Sequence, residues 1–366
     1  MNAPHPVTTA LRTGGQLVVD ALRVHGVDSV FCVPGESYLA VLDALYDERE
    51  AIRLIVARQD GSAAYMAEAY AKASGRPGVC MVTRGPGATN ASVGIHTAYQ
   101  DSTPMVLFIG QVGTDFADRE AFQEIDYRRM YGQMSKWVAQ IDRADRIHEY
   151  VSHAFHLATS GRPGPVVLAL PEDMLITQAA PSAMQHYQTV EAHPGRDDIE
   201  RLRKLLQSAE RPIAFLGGSV WSREACADFQ QFAEAAGLPV VCGFRRQDLF
   251  DNRHPHYIGE AGIALDPKLA ERIQSSDLLL VVGARLGEMA TRGYSLIEAP
   301  RPKQRLVHVH GGAEELGRVY QADLLINASV QAFSRAVRDV RIDGAKWSGA
   351  LATARAEYEA WQKPRP

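Results

Sequence analysis

The sequence has no Cys-x-x-Cys pair. Its four cysteines, Cys32, Cys80, Cys226 and Cys242, are too far apart for a dithiol motif or a zinc ligand set. Three of them stand in or beside apolar strand-like runs, where cysteine behaves as a small buried hydrophobe. Long apolar runs are also missing. The longest, such as DLLLVVGA (277–284), are strand length, well short of the ~20 residues that cross a bilayer. The opening MNAPHPVTTALRTGG lacks the apolar core of a secretory signal. Net charge is slight, -4 over 366 residues, so nothing pulls the chain toward nucleic acid or acidic membranes. No Gly-x-Gly-x-x-Gly fingerprint occurs; FLGGSVWS (215–222) only approaches it. These absences argue against a zinc or disulfide scaffold, a membrane-spanning chain and a polyanion binder. They leave little support for a nicotinamide oxidoreductase. The expectation is a protein of the reducing cytoplasm.

What is present is ordinary globular composition, 46% hydrophobic and 22% charged, at a length that suits two domains. Short apolar runs alternate with helical patterns. Strands are predicted at 29–35, 52–57, 78–83, 104–112 and 165–171, and helices at 8–25, 36–47, 61–74, 87–99 and 144–160. The strands are apolar throughout, as parallel strands covered on both faces require. The texture changes after Pro171, and a second series follows, with strands at 212–218, 239–243, 277–284, 305–310 and 323–328 and a closing helix in VQAFSRAVRDV. The reading is α/β, two doubly wound parallel-sheet domains: a first domain over 1–178, a linker over 179–198, a second over 199–342, and a polar tail over 343–366.

The segment VTRGPGATNASVGIHTAYQD (82–101) carries the most information. A strand ends at Thr83, Gly85-Pro86-Gly87 makes a tight turn, and a helix starts near Ala88–Asn90. Open α/β sheets place ligands at such strand ends, and free N–H groups at a helix start suit an anionic or hydrogen-bonding ligand. A strand-to-helix joint that uses glycine only because nothing else fits reads equally well. VFCVPGESYLAVLDAL (30–45) repeats the pattern with Pro34, Gly35 and Glu36, and Glu36 can simply favour the helix N-terminus. Asp60 stands between a strand pattern and an alanine-rich helix pattern. It reads either as an N-cap or as a functional carboxylate. Ala63, Ala64, Ala67 and Ala71 form a stripe that lets another helix approach closely. REAFQEIDYRRMYGQMSKW (119–137) is a long polar connection of the functional kind, from which Phe122, Gln123 and Lys136 could reach a cleft, or in which they are solvated. His308 and His310 fall on one face of a strand, but no further ligand stands at useful spacing, so no metal site is expected.

Taken together, VPGESY (33–38), ARQDGSAAYMAEAYAKASGRPGV (57–79), TRGPGATNASVGIHTAYQDSTPMVLFIGQV (83–112), EAFQEIDYRRM (120–130) and RPGPVVLALPEDML (162–175) resemble the thiamine-diphosphate-dependent carboligases and decarboxylases of the acetolactate synthase type. RPIAFLGGS, GLPVV, DLLLVVGARLGE and EELGRVY resemble that family's central domain, so the likeness runs over about residues 7–340. It implies a pyrimidine-binding domain followed by a Rossmann-like central domain. In the family a third domain anchors the diphosphate through magnesium, and its Gly-Asp-Gly signature is not found here. The active site lies between the first domain of one subunit and the third domain of its partner. The resemblance therefore implies a homodimer or higher oligomer, a third domain supplied elsewhere and a small 2-oxo acid substrate. It implies thiamine diphosphate held here by its aminopyrimidine half, with Mg2+ only in the third domain and little turnover by this chain alone. A non-catalytic dimerisation or small-molecule-binding module derived from the family is the competing expectation.

By the same resemblance Asp60 matches a position that usually holds a glutamate. That carboxylate hydrogen-bonds a ring nitrogen of the aminopyrimidine and favours the tautomer that activates the cofactor. Aspartate is one methylene shorter, and a shortfall of about 1 Å can cost on the order of 100-fold. Gly85, Pro86, Gly87 and Asn90 match the turn that approaches the aminopyrimidine. Pro34, Gly35 and Glu36 match a loop near the reactive thiazolium, and Phe122, Gln123 and Lys136 match the substrate-side loop. GARLGEM (283–289) departs from the GARFDDR of flavin-containing members, so FAD is not expected and a structural central domain is.

Overall fold

A computed structural model describes residues 10–343 and 345–363. The chain divides between Thr189 and Val190 into two compact units, inside the stretch expected as linker.

In the first unit the elements run β1 (Arg12–Thr13), α1 (Gly14–Val24), β2 (Ser29–Cys32), α2 (Leu39–Asp47), β3 (Arg53–Val56), α3 (Asp60–Ser74), β4 (Gly78–Val82), α4 (Pro86–Asp101), β5 (Met105–Gln111), α5 (Tyr127–Tyr131), β6 (Trp137–Gln140), α6 (Ile147–Thr159), β7 (Pro165–Pro171), α7 (Glu172–Ile176) and β8 (Gln178–Ala179). Six of these strands form one parallel sheet in the order β3-β2-β4-β5-β7-β6, while β1 and β8 pair antiparallel beside it. The helix expected from residue 8 begins at Gly14, where Thr13 and Gln16 close a capping box; residues 8 and 9 lie outside the described residues. Every residue of β4, β5 and β7 is buried, which explains why all of their positions except Gln111 are apolar. One face of the sheet packs on α1, α2 and α6, the other on α3 and α4. The alanine stripe of α3 receives α4. A Cβ on Gly94 would lie 2.5 Å from the Ala64 Cβ, so the two helices cross at a distance only glycine and alanine allow.

In the second unit the elements run α8 (Arg196–Ser208), β9 (Pro212–Leu216), α9 (Arg223–Ala236), β10 (Val240–Gly243), β11 (Tyr257–Ala261), α10 (Pro267–Ser275), β12 (Leu278–Val282), β13 (Arg305–His310), β14 (Leu324–Asn327), α11 (Val330–Val337) and α12 (Ser348–Trp361). The strands form a parallel sheet in the order β11-β10-β9-β12-β13-β14, the doubly wound arrangement. The stretch expected as a polar tail differs. It folds into α12, because Arg355 donates to the carbonyls of Asn252, His254 and Tyr257 at 2.9–3.0 Å and Tyr358 packs edge-on against Tyr257. Trp347 is fully buried and its indole donates to the Ala209 carbonyl. The edge strands β6 and β11 are also additions to the predicted set.

Among the described residues no helix is long and apolar enough to cross a membrane.

Candidate functional site

Passing from β2 out to edge strand β3 and back to β4, the chain reverses its direction of travel across the sheet. The crevice at such a reversal, outside the carboxyl ends of the strands, is where open parallel sheets bind ligands. Here it lies between the loops that follow β2 and β4. These loops touch: a Cβ on Gly35 would fall 2.5 Å from the Thr83 Cβ, and Ser37 Oγ and Thr83 Oγ1 are hydrogen-bonded at 2.7 Å. Gly110 on β5 makes room for the turn over Glu36–Tyr38, since a Cβ there would meet Ser37 Oγ at 2.2 Å. Tyr38, buried beneath, donates to the Val33 carbonyl and pins the Pro34-Gly35 turn.

Asp60 is the first residue of α3. It is not the cap: Gln59 is the N-cap, with its side-chain oxygen accepting from the Ser62 N–H at 2.8 Å. This frees the Asp60 carboxylate from the role that aspartate most often fills at a helix start. Asp60 is 8% exposed. Its Oδ2 accepts from Asn90 Nδ2 at 3.3 Å across the α3–α4 crossing. Its Oδ1 is buried and has no hydrogen-bond partner. Gly87 lies against that oxygen: a Cβ at Gly87 would stand 3.1 Å from Oδ1, so only glycine leaves the space open. The N–H groups at the start of α3 favour negative charge at Asp60.

The α4 end of the crevice offers less to an anion than the sequence suggests. The Gly85 N–H donates to Tyr127 Oη at 3.0 Å, Ala88 and Thr89 N–H donate to the carbonyls of Thr83 and Gly85, and Pro86 has no N–H. Gly85 itself is required, with φ +58 and a Cβ position 2.6 Å from the Gln123 Cβ. Gln123 therefore leans on the turn. Phe122 is exposed, and only its carbonyl is engaged, by Arg84 Nε at 3.1 Å. Within this loop Asp118, Glu120 and Gln123 all have positive φ, a conformation non-glycine residues hold only when the surroundings impose it. Glu124 helps impose it by accepting from the N–H groups of Asp118 and Ala121.

Lys136 is a correction. Its ammonium donates to the Leu157 and Ser160 carbonyls at the end of α6, and its N–H pairs with Pro165 at the start of β7. It caps a helix at the edge of the sheet opposite the crevice. Tyr127 in the long loop is buried; Arg128 and Arg129 beside it are exposed.

Three contributors were not singled out from the sequence. Arg84 is 9% exposed and joins four loops. It pairs with Glu36 at 3.6 Å and with Glu172, donates to the Phe122 carbonyl, and its backbone N–H donates to Ser37 Oγ. Tyr127 and Tyr131 support the turn from below, Tyr131 donating to the Ala88 carbonyl. Burial pushes the Tyr127 phenol up to about 12. The only signal for these residues was their place beside the Gly-Pro-Gly turn and in the long loop. Tyr127→Phe leaves the buried Gly85 N–H without its partner and should destabilise the first unit by about 1–3 kcal/mol. Urea melts would show it, and a loss under about 0.5 kcal/mol would mean that water replaces the phenol.

In the second unit the corresponding reversal lies between β9 and β12. There Gly218 (φ +77) and Gly283 (φ +74) face each other so closely that a Cβ on Gly218 would sit 2.1 Å from the Gly283 carbonyl oxygen. Arg285 pairs with the buried Glu315 at 3.4 Å, and Arg318 pairs with the same carboxylate. His308 Nε2 bonds the Ala284 carbonyl, and His310 Nδ1 lies against Gly312.

The first unit is thus a parallel α/β domain with a buried, half-satisfied carboxylate on a glycine cradle at its switch point. Residues 12–130 match the family model described as thiamine pyrophosphate enzyme, N-terminal TPP binding domain, and residues 199–337 match thiamine pyrophosphate enzyme, central domain. The chain belongs to the thiamine pyrophosphate enzymes, carrying their N-terminal and central domains. It is 33% identical over 325 residues to the acetolactate synthase of Mycobacterium bovis, covering 87% of this chain and 52% of that protein. It is 30% identical over 355 residues to the acetolactate synthase isozyme 2 large subunit of Escherichia coli, covering 96% and 63%. Against the probable acetolactate synthase large subunit of Methanocaldococcus jannaschii it is 33% identical over 326 residues, covering 86% and 53%. The chain spans about half the length of most of these relatives.

Proposed function

We propose that this chain supplies the aminopyrimidine side of a thiamine diphosphate site for an acetolactate-synthase-type reaction, decarboxylation of a small 2-oxo acid followed by carbon–carbon bond formation. The observation that carries this reading is the buried Asp60 Oδ1, without a protein partner, beside the space that Gly87 keeps open. A buried carboxylate oxygen left unsatisfied costs stability, and a functional ligand is the ordinary reason to keep one. Both features fit a flat ring that offers a proton to a carboxylate.

When bound, thiamine diphosphate supplies the electron sink for losing carbon dioxide from a 2-oxo acid. The rest falls to the protein. Asp60 accepts the hydrogen bond that holds and polarises the ring. Asn90 fixes the carboxylate by its other oxygen. Gly85, Pro86 and Gly87 let the backbone come close, with Tyr127 holding the turn in place. Pro34, Gly35 and Glu36 border the same crevice, and Arg84 ties their loop to Phe122 and Glu172. Gln123, with Phe122 beside it, forms the loop wall over Gly85. Lys136 has no part in this reading. Magnesium and the diphosphate would be held by a third domain, and the working form would be a homodimer or larger assembly. The second unit is assigned a structural role without FAD, supported by the close Gly218–Gly283 contact and by the pairing of Arg285 with Glu315.

Isothermal titration with thiamine diphosphate and magnesium tests this, using the chain alone and mixed with a separately expressed diphosphate-binding domain. Heat and pyruvate turnover are expected once that domain is present. Neither binding nor turnover in either mixture would overturn the reading and favour the non-catalytic module.

A further inference from the structure

Edge strand β11 runs out past Glu260, and beside that end α12 and the start of α10 border a cavity of about 190 Å³ within the second unit. The proposed reaction does not use it. It is set apart from the β9–β12 reversal, since β11 is the outermost strand of its sheet. Its walls are aromatic and acidic. Tyr257, Tyr358 and Trp361 supply rings, Glu260 and Asp266 supply carboxylates, and no lysine or arginine is among the described residues that line it. Two glycines shape it. Gly259, at φ +128, makes room for α12: a Cβ there would lie 2.9 Å from Leu269 Cδ2 and 3.5 Å from Tyr358 Cδ2. A Cβ on Gly262 would meet Glu260 Oε1 at 2.2 Å, so the carboxylate rests over bare backbone.

Two polar groups on this cavity lack partners. Glu260 is half-buried, and its carboxylate makes no hydrogen bond or ion pair with any described residue. Burial pushes its carboxyl up, with no cation beside it to bring it back. Tyr257 is 1% exposed, and its hydrogen bonds, to the His254 carbonyl and from Arg355, are made by its backbone alone. Unlike Asp60 Oδ1, neither group is sealed off: the Tyr257 hydroxyl and the Glu260 oxygens keep accessible surface. The neighbouring charges are already matched. Arg355 lies 5.1 Å over the Tyr358 ring and is held by three carbonyls and by Glu359 at 2.8 Å, while Arg272 pairs with Glu357. Asp266 caps α10 by accepting from the Lys268 N–H at 3.0 Å. Glu260 is left as the charge that a guest would answer.

We propose that this cavity binds a small primary ammonium with an apolar body one ring in size, its N–H groups directed to Glu260 and the Tyr257 hydroxyl and its body laid against Tyr358 and Trp361. A half-buried carboxylate without a partner is costly, and a cation beside it offsets that cost. Bonds from an ammonium to a carboxylate are charge-assisted and stronger than those between neutral groups. Two unpartnered acceptors select a primary ammonium, which has three donors, over a quaternary one, which has none. The aromatic walls attract positive charge and cover the apolar body. A cavity of roughly 150 Å³ is known to hold benzene, so one ring fits.

Benzylamine and benzyl alcohol are the probes, alike in shape and different in charge. Each would be titrated into the chain carrying isotope-labelled tryptophan, at mildly alkaline pH, where Glu260 is ionised and the amine protonated. The indole signal of Trp361, assigned in the parent chain by NMR, follows binding. Benzylamine should move it and bind about five- to tenfold more tightly than benzyl alcohol. Added salt should narrow that gap. Glu260→Gln keeps the shape, removes the charge and should bring benzylamine down to the level of benzyl alcohol. Benzylamine that leaves Trp361 unmoved, binds no tighter than the alcohol, or keeps its advantage in Glu260→Gln overturns the proposal. The two-probe comparison and its salt dependence need no variant, so a Glu260→Gln chain that fails to fold would not obscure the answer.

Discussion

Lowering the pH from neutral toward 4 should destabilise each unit by on the order of 3 kcal/mol through a single buried histidine. In the first unit it is His25, in the second His308; burial lowers both to about 4 from an ordinary value of 6.5. Below 6.5 the unfolded chain binds a proton on each ring that the folded chain refuses. The unfolded state therefore binds more protons, and stability falls with pH across the window from 6.5 to about 4. Above 6.5 both states are neutral and the effect vanishes. His256, lowered in the same direction, adds to the trend. Asp20 and Glu260 oppose it, because burial raises their carboxyl groups and the folded chain protonates them first. Asp28, held at about 2 despite some burial by its bonds to Tyr70, Arg76 and Ser29, extends the loss further below its ordinary 3.8. Urea melts across this range would measure the slope, and His25→Phe and His308→Gln should each flatten the part that belongs to its own unit. Equal slopes in the parent and both variants would mean that neither histidine is excluded from protonation in the folded state.

How much of this was legible in the sequence depended on how unbroken each element's apolar run is. The central strands β4, β5, β7, β9 and β12 announce themselves because both faces are covered and every position except Gln111 is apolar. The strands β6 (WVAQ) and β11 (YIGEA) are short runs interrupted by Gln140 and by Gly259 and Glu260, and such mixed runs have no distinct period. Helix α12 was hidden for a different reason. Its weakly amphipathic sequence is held by Arg355 reaching three carbonyls of the β10–β11 connection and β11, and such a contact leaves no local pattern. At the site, the glycines at 35, 85 and 87 and the carboxylate at 60 could be picked out, since turn chemistry and charge are local. That Gln59 and not Asp60 caps α3 could not, because adjacent polar residues compete for one position. Lys136 was misplaced because a lysine in a polar loop reads the same whether it faces a ligand or the carbonyls of a helix end. Arg84 was passed over because its four partners come from loops far apart in the chain.

Replacing Asp60 with alanine should separate function from stability, with opposite signs. In the complete catalytic assembly, thiamine-diphosphate-dependent turnover should fall by on the order of 100-fold or more, the scale set by removing a positioned acid–base group. Folding stability should be unchanged or rise by about 1 kcal/mol. Two terms favour the aspartate. The Asn90 bond is long at 3.3 Å and reaches an exposed amide that water can satisfy, so it contributes little. The helix-terminus interaction adds about 0.3–1 kcal/mol. Against them stands the desolvation of Oδ1, buried with no partner, at about 1–3 kcal/mol. The unfavourable term is the larger, so a purely structural residue would not be kept here. Asp60→Glu extends the carboxylate by about one methylene into the space that Gly87 leaves open. If the shorter side chain limits the chemistry, this variant should be more active than the parent. Thermal melts and turnover on the same three preparations decide the matter. A loss of more than about 2 kcal/mol in Asp60→Ala, with cofactor binding and turnover intact, would make Asp60 a packing residue and remove the carboxylate from the proposed chemistry.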